Sequence, residues 1–337
     1  MRCRRPAIAA PDRRSCVRVA DPGARNVSTT IVPAGSGFLA VEPPIFVPCP
    51  PSPFPWYKEG MPVWPRMRAL GRLTWFSIAS WLVVAGGIFG VASRFPIRCR
   101  RTGPHVSRWA RLGARCLGIR VKARGSPPPR GALVVANHQG YADIVTIGGL
   151  FPCTFAARHD MRRWPLFGSL AASGATIFIN RDNVRAGYRG VAQATAALGV
   201  GATIIAFPEG TSTDGSGLLP FRTGIFQAAV GAQAPVVPAA IRYREIDGVP
   251  IDASNRHLVG WFREESFLGH LLRLASHHRV DAEVHFGDAI VPPHEDRRSL
   301  ARDAEARLRD LLGIAANALP GEVGRGPAPI TSAREEG

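Results

Sequence analysis

Residues 133–143 read LVVANHQGYAD, and the order of residue types in them decides the fold. The apolar run Leu133–Val135 predicts a strand over 132–136, a polar turn follows it, and Asp143 opens a helix predicted over 143–150. In open α/β sheets ligands sit beyond the C-terminal ends of strands, and His138 and Asp143 fall at such an end. On one continuous helix, residues five positions apart are separated by about 5 × 100° and their side chains diverge. A turn at Gly140 instead brings the two together, so that Asp143 accepts the Nδ1–H of His138, fixes its tautomer and leaves Nε2 as a general base. Read alone, the same pair serves as a loop histidine and a helix N-cap.

Outward from this stretch, short apolar runs alternate with helical patterns as far as residue 312. Strands are predicted at 132–136, 154–157, 176–180, 203–207, 236–243 and 282–286, and helices at 143–150, 166–172, 185–198, 223–232 and 299–312. The expected fold is α/β, a mixed central sheet flanked by helices. A second strand end carries Phe207-Pro208-Glu209-Gly210-Thr211-Ser212, with Leu219-Pro220-Phe221-Arg222 after it. Gly210, the hydroxyls of Thr211 and Ser212, and Arg222 suit an anion-holding corner, where backbone N–H groups and a guanidinium converge on a phosphate or a developing oxyanion. A strand-to-helix loop with capping hydroxyls accounts for them equally well. A third strand ends on Ile179-Asn180-Arg181, whose arginine, taken alone, reads as a solvated charge at a loop entrance.

With 337 residues, 46% of them apolar, the chain is long enough for one or two domains with a sizeable core, and collagen-like, coiled-coil and small disulfide-stapled classes are excluded. Lys+Arg number 42 against 25 Asp+Glu, a net charge of +17 that points to an anionic partner: a membrane surface, a nucleic acid or a phosphorylated substrate. All the cations except Lys58 and Lys122 are arginine, a skew that coding bias also produces. The arginines are scattered, with no helix-turn-helix or RNP-type pattern, so nucleic acid is not the expected partner. Six cysteines (Cys3, Cys16, Cys49, Cys99, Cys116, Cys153) form no CxxC or Cys/His cluster, which argues against a zinc site and a disulfide framework and suits a reducing compartment. His138, Asp143 and Glu209 lack metal-ligand spacing, so no metal is expected, and His277, His278 and His285 read as surface residues.

Proline clusters between Pro43 and Pro55 predict little fixed structure over 1–65, and no apolar stretch of secretory type stands near the N-terminus. Met61 and Met67 raise the expectation that residues 1–60 come from an upstream start. Residues 73–93 carry no charge between Arg72 and Arg94, and at about 1.5 Å per residue they match a hydrocarbon core of ~30 Å. Thr74, Ser77, Ser80 and three glycines make the stretch moderately apolar, leaving open whether it crosses a membrane or lies along it. At 105–117, Val106, Trp109, Leu112, Cys116 and Leu117 oppose Arg108, Arg111 and Arg115, the pattern of an interfacial helix; an amphipathic core helix is the alternative.

Taken in order, the three strand ends resemble the lysophospholipid acyltransferase family, whose members include 1-acylglycerol-3-phosphate acyltransferase. The family's NHxxxxD block is matched by Asn137, His138 and Asp143, its arginine block by Ile179-Asn180-Arg181, its FPEGT block by Phe207 to Thr211, and its Val-Pro strand by Val237-Pro238; Pro165-Leu166-Phe167-Gly168 is also similar. The resemblance spans 130–243 and implies O-acyl transfer from an acyl thioester, acyl-CoA or acyl carrier protein (acyl-ACP), to a lysolipid hydroxyl, with no cofactor and no covalent acyl-enzyme. It implies that His138 and Asp143 are catalytic, and that Asn180, Arg181, Glu209, Gly210, Thr211, Ser212 and Arg222 bind substrate. Phosphate-specific members commonly have arginine where this chain has Ser212. The implied acceptor is 1-acyl-sn-glycerol-3-phosphate, giving phosphatidic acid, with lyso-ornithine lipid as the alternative; an inactive membrane-surface binding protein is the competing class. The expected layout is a disordered extension (1–65), a membrane-associated helical region (66–124), an acyltransferase domain (125–315) and a disordered tail (316–337), at the cell membrane with the site on the cytoplasmic side.

Overall fold

The computed structural model describes residues 62–90, 94–164, 167–180 and 183–324. Most of the 1–65 extension, Arg181 and residues 325–337 therefore lie outside the described residues. In chain order the elements are α1 (Val63–Gly90), α2 (Ile97–Cys116), β1 (Ile119–Arg124), β2 (Leu133–Ala136), α3 (Ala142–Gly148), β3 (Thr154–Arg158), a 3-10 turn (His159–Arg163) and α4 (Phe167–Ser173). They continue with β4 (Ile177–Ile179), α5 (Val184–Gly199), β5 (Ile204–Ala206), α6 (Phe226–Ala232), β6 (Val236–Ile246), β7 (Val249–Pro250), α7 (Phe267–Ser276), β8 (Val280–Phe286) and α8 (Arg297–Leu312).

Among the described residues eight strands form one mixed sheet, seven of them in the order β1-β8-β6-β2-β5-β3-β4 and β7 paired to β6. The pairs β1·β8, β6·β2, β2·β5, β5·β3 and β3·β4 are parallel, and β6·β8 is antiparallel. β2 lies at the centre, and all four of its residues are buried, as a strand covered on both faces must be. Successive residues point to opposite faces. Leu133 and Val135 enter a core shared with α5, α6 and α8, while Val134 and Ala136 enter the core built by α2, α3 and α7.

Three sequence expectations change here. The helix expected to lie in an interface at 105–117 is the C-terminal part of α2. Its Val106, Ala110, Ala114 and Cys116 are buried against the protein with the arginines outside, so the core-helix alternative holds. A boundary at residue 124 does not separate two regions, because β1 is hydrogen-bonded to β8 at the sheet edge. The tail expected from 316 is ordered through Gly324: Thr213 bridges to Val323, Leu218 N donates to Ala318 O, and Arg309 donates to the carbonyls of Ala318 and Leu218. These backbone groups find partners across the FPEGT loop, which is what holds a segment otherwise lacking helical or strand pattern.

Among the described residues no helix is long and apolar enough to cross a membrane. One side of α1 is fastened to the domain. The Arg72 guanidinium donates to the carbonyls of Ala275 (3.1 Å) and His277 (2.5 Å) at the C-terminal end of α7, and Trp109 Nε1 donates to Ser80 Oγ at 2.9 Å. The opposite side presents Trp64, Met67, Leu70, Trp75, Ile78, Trp81 and Leu82, each between 49% and 77% exposed. His277, expected at the surface, is buried, and its Nδ1 meets Asp247 Oδ2 at 2.9 Å.

Candidate active site

β6 runs past the end of β2, because Ala136 pairs with Ala239 and the strand continues to Ile246. The chain leaving β2 thus has an exposed ladder beside it. Asn137 fills the next rung with its side chain: its Nδ2 donates to Ile241 O (3.0 Å), and its Oδ1 accepts from Ile241 N (2.8 Å). This amide substitutes for a strand backbone, frees the chain to turn, and starts the loop at a defined point. Gly140 completes the turn at φ +158°, and a Cβ there would stand 2.7 Å from the backbone nitrogen of Trp261.

The turn brings His138 Nδ1 to 2.8 Å from Asp143 Oδ2. Asp143 has no exposed surface. Its Oδ2 also accepts from the backbone N–H of Gln139 (2.6 Å) and of Gly140 (2.9 Å), and its Oδ1 accepts from the Tyr243 hydroxyl (2.8 Å). Four donors surround a buried carboxylate, the condition under which an ion is tolerated without solvent. Since an ionised carboxylate only accepts, His138 must carry its proton on Nδ1 in the neutral ring. Nε2 then holds the free lone pair. Among the described residues it has no hydrogen-bond partner, and the His138 side chain remains 22% exposed. Phe207 stacks on the imidazole with ring centroids 4.2 Å apart and planes 21° from parallel.

Glu209 lies behind this pair rather than in front of it. Only 3% exposed, it accepts from His138 N with Oε1 (2.8 Å) and from Leu219 N with Oε2 (3.0 Å). Burial pushes its carboxyl up to about 7, outweighing the backbone donors from Leu219 and His138 that pull it down. Glu209 thereby ties the catalytic-loop candidate to the segment that carries Arg222. The Thr211 hydroxyl donates to Gly324 O, and the Ser212 hydroxyl donates to Trp261 O at 2.8 Å, so neither points into a common anion site. Gly210 takes φ +82° at the turn between Glu209 and these hydroxyls. Thr213 N reaches back to His138 O at 2.8 Å.

Arg222 and Asn180 instead line a cavity of about 390 Å³ beside Phe207, at the C-terminal ends of β3, β4 and β5. Its floor is apolar (Ala156, Ile179, Val191, Ala206, Phe207, Ile225) and its rim carries Arg222, Arg297, Asn183 and Tyr188. Arg256 and Arg309 are paired with Asp214 and Glu305, whereas among the described residues neither Arg222 nor Arg297 forms an ion pair. A hollow of about 430 Å³ between Phe221 and α8 has none of His138, Asp143 or Glu209 in its wall.

Sequence reasoning passed over Tyr243, Arg297 and the buried His270. His270 Nε2 lies 3.1 Å and 3.2 Å from the carbonyls of His257 and Gly260, so it bears the proton and leaves Nδ1 to accept from the Tyr141 hydroxyl at 2.7 Å. Burial, reinforced by Arg273, lowers its pKa to about 3, which keeps the ring neutral. Each of these partners is distant in sequence from the loop it supports; the only local signal for Tyr243 was its place two residues after Ile241 on the same strand face.

Comparison with known proteins places the chain among acyltransferases. The family model described as Acyltransferase matches residues 119–242, which contain the dyad, Glu209 and the lining of the cavity apart from Arg297. Lyso-ornithine lipid O-acyltransferase of Pseudomonas aeruginosa is 36% identical over 243 residues, covering 71% of this chain and 88% of that protein. The protein of the same name from Rhizobium meliloti is 33% identical, covering 67% and 80%. 1-acyl-sn-glycerol-3-phosphate acyltransferase of Neisseria gonorrhoeae is 33% identical, covering 54% and 70%. The crystal structure of the 1-acyl-sn-glycerophosphate acyltransferase of Thermotoga maritima shares the fold, with a TM-score of 0.52 at 21% identity, over 74% of this chain and 96% of that one. With relatives matched over most of their length, the chain belongs to the acyltransferase family and is an enzyme of that class.

Proposed function

We propose that this protein moves a fatty acyl group from an acyl thioester to the free hydroxyl of a lysolipid, with His138 as general base and Asp143 as its partner. The observation that carries this reading is the 2.8 Å contact between His138 Nδ1 and Asp143, on a side chain that stays partly exposed. Nε2 takes the acceptor's hydroxyl proton as its oxygen attacks the thioester carbonyl. The imidazolium so formed faces the Asp143 carboxylate. Collapse of the tetrahedral adduct breaks the C–S bond, and the proton on Nε2 passes to the departing thiolate, leaving an ester, a thiol and the resting dyad. Nothing in this sequence needs a cofactor.

The donor, acyl-CoA or acyl-ACP, and many acceptors are anionic. Arg222 and Arg297 at the cavity rim are the groups we assign to that charge, with Asn180 beside them. Arg181, outside the described residues, follows Asn180 directly and belongs to the same proposal. Lyso-ornithine lipid is the acceptor we favour. Two of the relatives named for it are matched over 80% or more of their length, and Ser212 stands where an arginine would serve a phosphomonoester, its hydroxyl engaged by the Trp261 carbonyl. The second reading, 1-acyl-sn-glycerol-3-phosphate giving phosphatidic acid, draws support from Arg222 and Arg297, which form no ion pair among the described residues, and from the Neisseria relative. The outward apolar face of α1, with three tryptophans, is suited to the interface of the cell membrane, and the intracellular origin of acyl thioesters favours the cytoplasmic side.

A matrix of both donors against both acceptors, run with purified protein in mixed micelles, tests the proposal. Ester formation with lyso-ornithine lipid faster than with the phosphate acceptor is expected. Faster transfer to lysophosphatidic acid reverses the choice of acceptor, and no transfer in any combination, with lipid binding intact, leaves only a binding protein.

A further inference from the structure

Asp143 is served by more than its histidine, and the fourth donor comes from the far side of the chain. Tyr243 sits on β6 two residues beyond Ile241, whose backbone anchors Asn137, so one strand holds both ends of the 137–143 loop. The ladder between β6 and β8 shifts register between Tyr243 and Glu245, an irregularity of the kind that re-aims a side chain next to a site. The Tyr243 ring is 7% exposed, and its hydroxyl lies 2.8 Å from Asp143 Oδ1. Thr146, its other neighbour at 3.3 Å, gives its own proton to Ala142 O at 2.8 Å, which leaves the phenol proton for the carboxylate. Without Tyr243, Oδ1 would be a buried carboxylate oxygen with no donor among the described residues.

Building on the proposed acyl transfer, we infer that Tyr243 is a positioning residue that sets how strongly Asp143 draws a proton onto His138. The three donors on Oδ2 fix where the carboxylate stands. The phenol on Oδ1 takes up part of its negative charge, and that share is withheld from the imidazolium. Burial, together with the neighbouring Asp143 charge, holds the phenol far above its ordinary range, so it remains a donor at every working pH. Among the described residues the other titratable groups facing the dyad are Glu209, from the loop after β5, and Tyr141, whose hydroxyl is turned away to His270 of α7.

The test is Tyr243→Phe, with the His138 imidazole titration followed by NMR on the resting protein and with the pH profile of acyl transfer. Tyr243→Phe should move the imidazole midpoint upward. Rates should fall on the order of 3- to 10-fold on the acidic side and return to those of the parent at alkaline pH. Replacing Tyr243 by 3-fluorotyrosine, a better donor of nearly the same shape, should move the midpoint downward, and it serves where Tyr243→Phe fails to fold. Both comparisons repeated in a Glu209→Gln background remove the titration of that carboxyl. An unmoved midpoint, two shifts of the same sign, or a loss uniform across pH overturns the inference. The NMR titration needs no substrate, so failure of the acyl-transfer proposal would appear separately, as absence of turnover with the titration shifts intact.

Discussion

Asp143→Asn separates charge from shape at the centre of this site. The amide oxygen can occupy the Oδ2 position, where it still accepts from His138 Nδ1, Gln139 N and Gly140 N. The amide NH2 then faces Tyr243, whose hydroxyl can rotate to accept instead of donate. Geometry is preserved, the tautomer of His138 is preserved, and the buried negative charge is gone. For an imidazolium about 4 Å from the carboxylate charge, an effective dielectric near 20 gives roughly 4 kcal/mol of lost stabilisation, or on the order of 10³-fold in kcat. Thermal stability should fall by about 1–3 kcal/mol, because one N–H of the buried amide is left without an acceptor. Asp143→Ala, by contrast, strands four donors in a site with no exposed surface and should lower the melting temperature sharply. Initial rates of thiol release from the acyl thioester, with a melting curve on the same preparation, read both quantities. A loss below 10-fold in a folded Asp143→Asn protein would refute the claim that the carboxylate's charge assists the transfer.

The remaining expectations concern the surroundings of the dyad. Glu209 titrates at about 7 in the fold against an ordinary value of 4.5, so the native state keeps a proton there that the unfolded chain has lost; its contribution to stability declines as pH rises from about 4.5 to about 7, and Glu209→Gln should flatten that part of the melting-temperature curve. A curve of unchanged slope would contradict the burial argument. Arg222→Ala and Arg297→Ala should each raise the KM of the anionic substrate they contact about 10-fold with kcat held, as loss of a charge-assisted hydrogen bond of about 1.5 kcal/mol implies; titrating donor and acceptor separately shows which substrate responds, and an unchanged KM for both removes the cavity from the binding account. Trp75→Asp with Trp81→Asp, both on the outward face of α1, should weaken vesicle binding on the order of 100-fold or more, while transfer between soluble short-chain substrates stays near the parent's; full retention on vesicles would place the membrane contact elsewhere.

The parts legible in the sequence were those whose signal is local. The runs that became β2 and β5 are apolar because both faces are covered, and the Gly140 turn joining His138 to Asp143 follows from five residues of spacing. β1 was missed because Arg120, Lys122 and Arg124 make an edge strand look like a charged loop, and its pairing with β8 lies 161 positions away at Ile119↔Val280. α7 was missed although Ser266 caps it and His270, Arg273 and Ser276 fall at helical spacing; two of these polar residues, His270 and Ser276, are buried, which sequence alone does not show. The hydroxyls of Thr211 and Ser212 suited an anion corner by type, but their acceptors, Gly324 and Trp261, are 113 and 49 residues away, and only the tertiary structure decides between a ligand and a carbonyl. The same holds for Tyr243, 100 residues from the carboxylate it serves. Burial of α2's apolar face likewise depends on α1 and α3 packing over it; composition alone suits a lipid surface equally well.

The most direct measurement compares the parent with His138→Ala in transfer from a radiolabelled acyl thioester to lysolipid in mixed micelles, with micelle binding recorded on the same samples. The account predicts that ester formation falls to the level without enzyme while micelle binding and the melting temperature stay those of the parent. Ester formation by His138→Ala at a rate comparable to the parent's would contradict it.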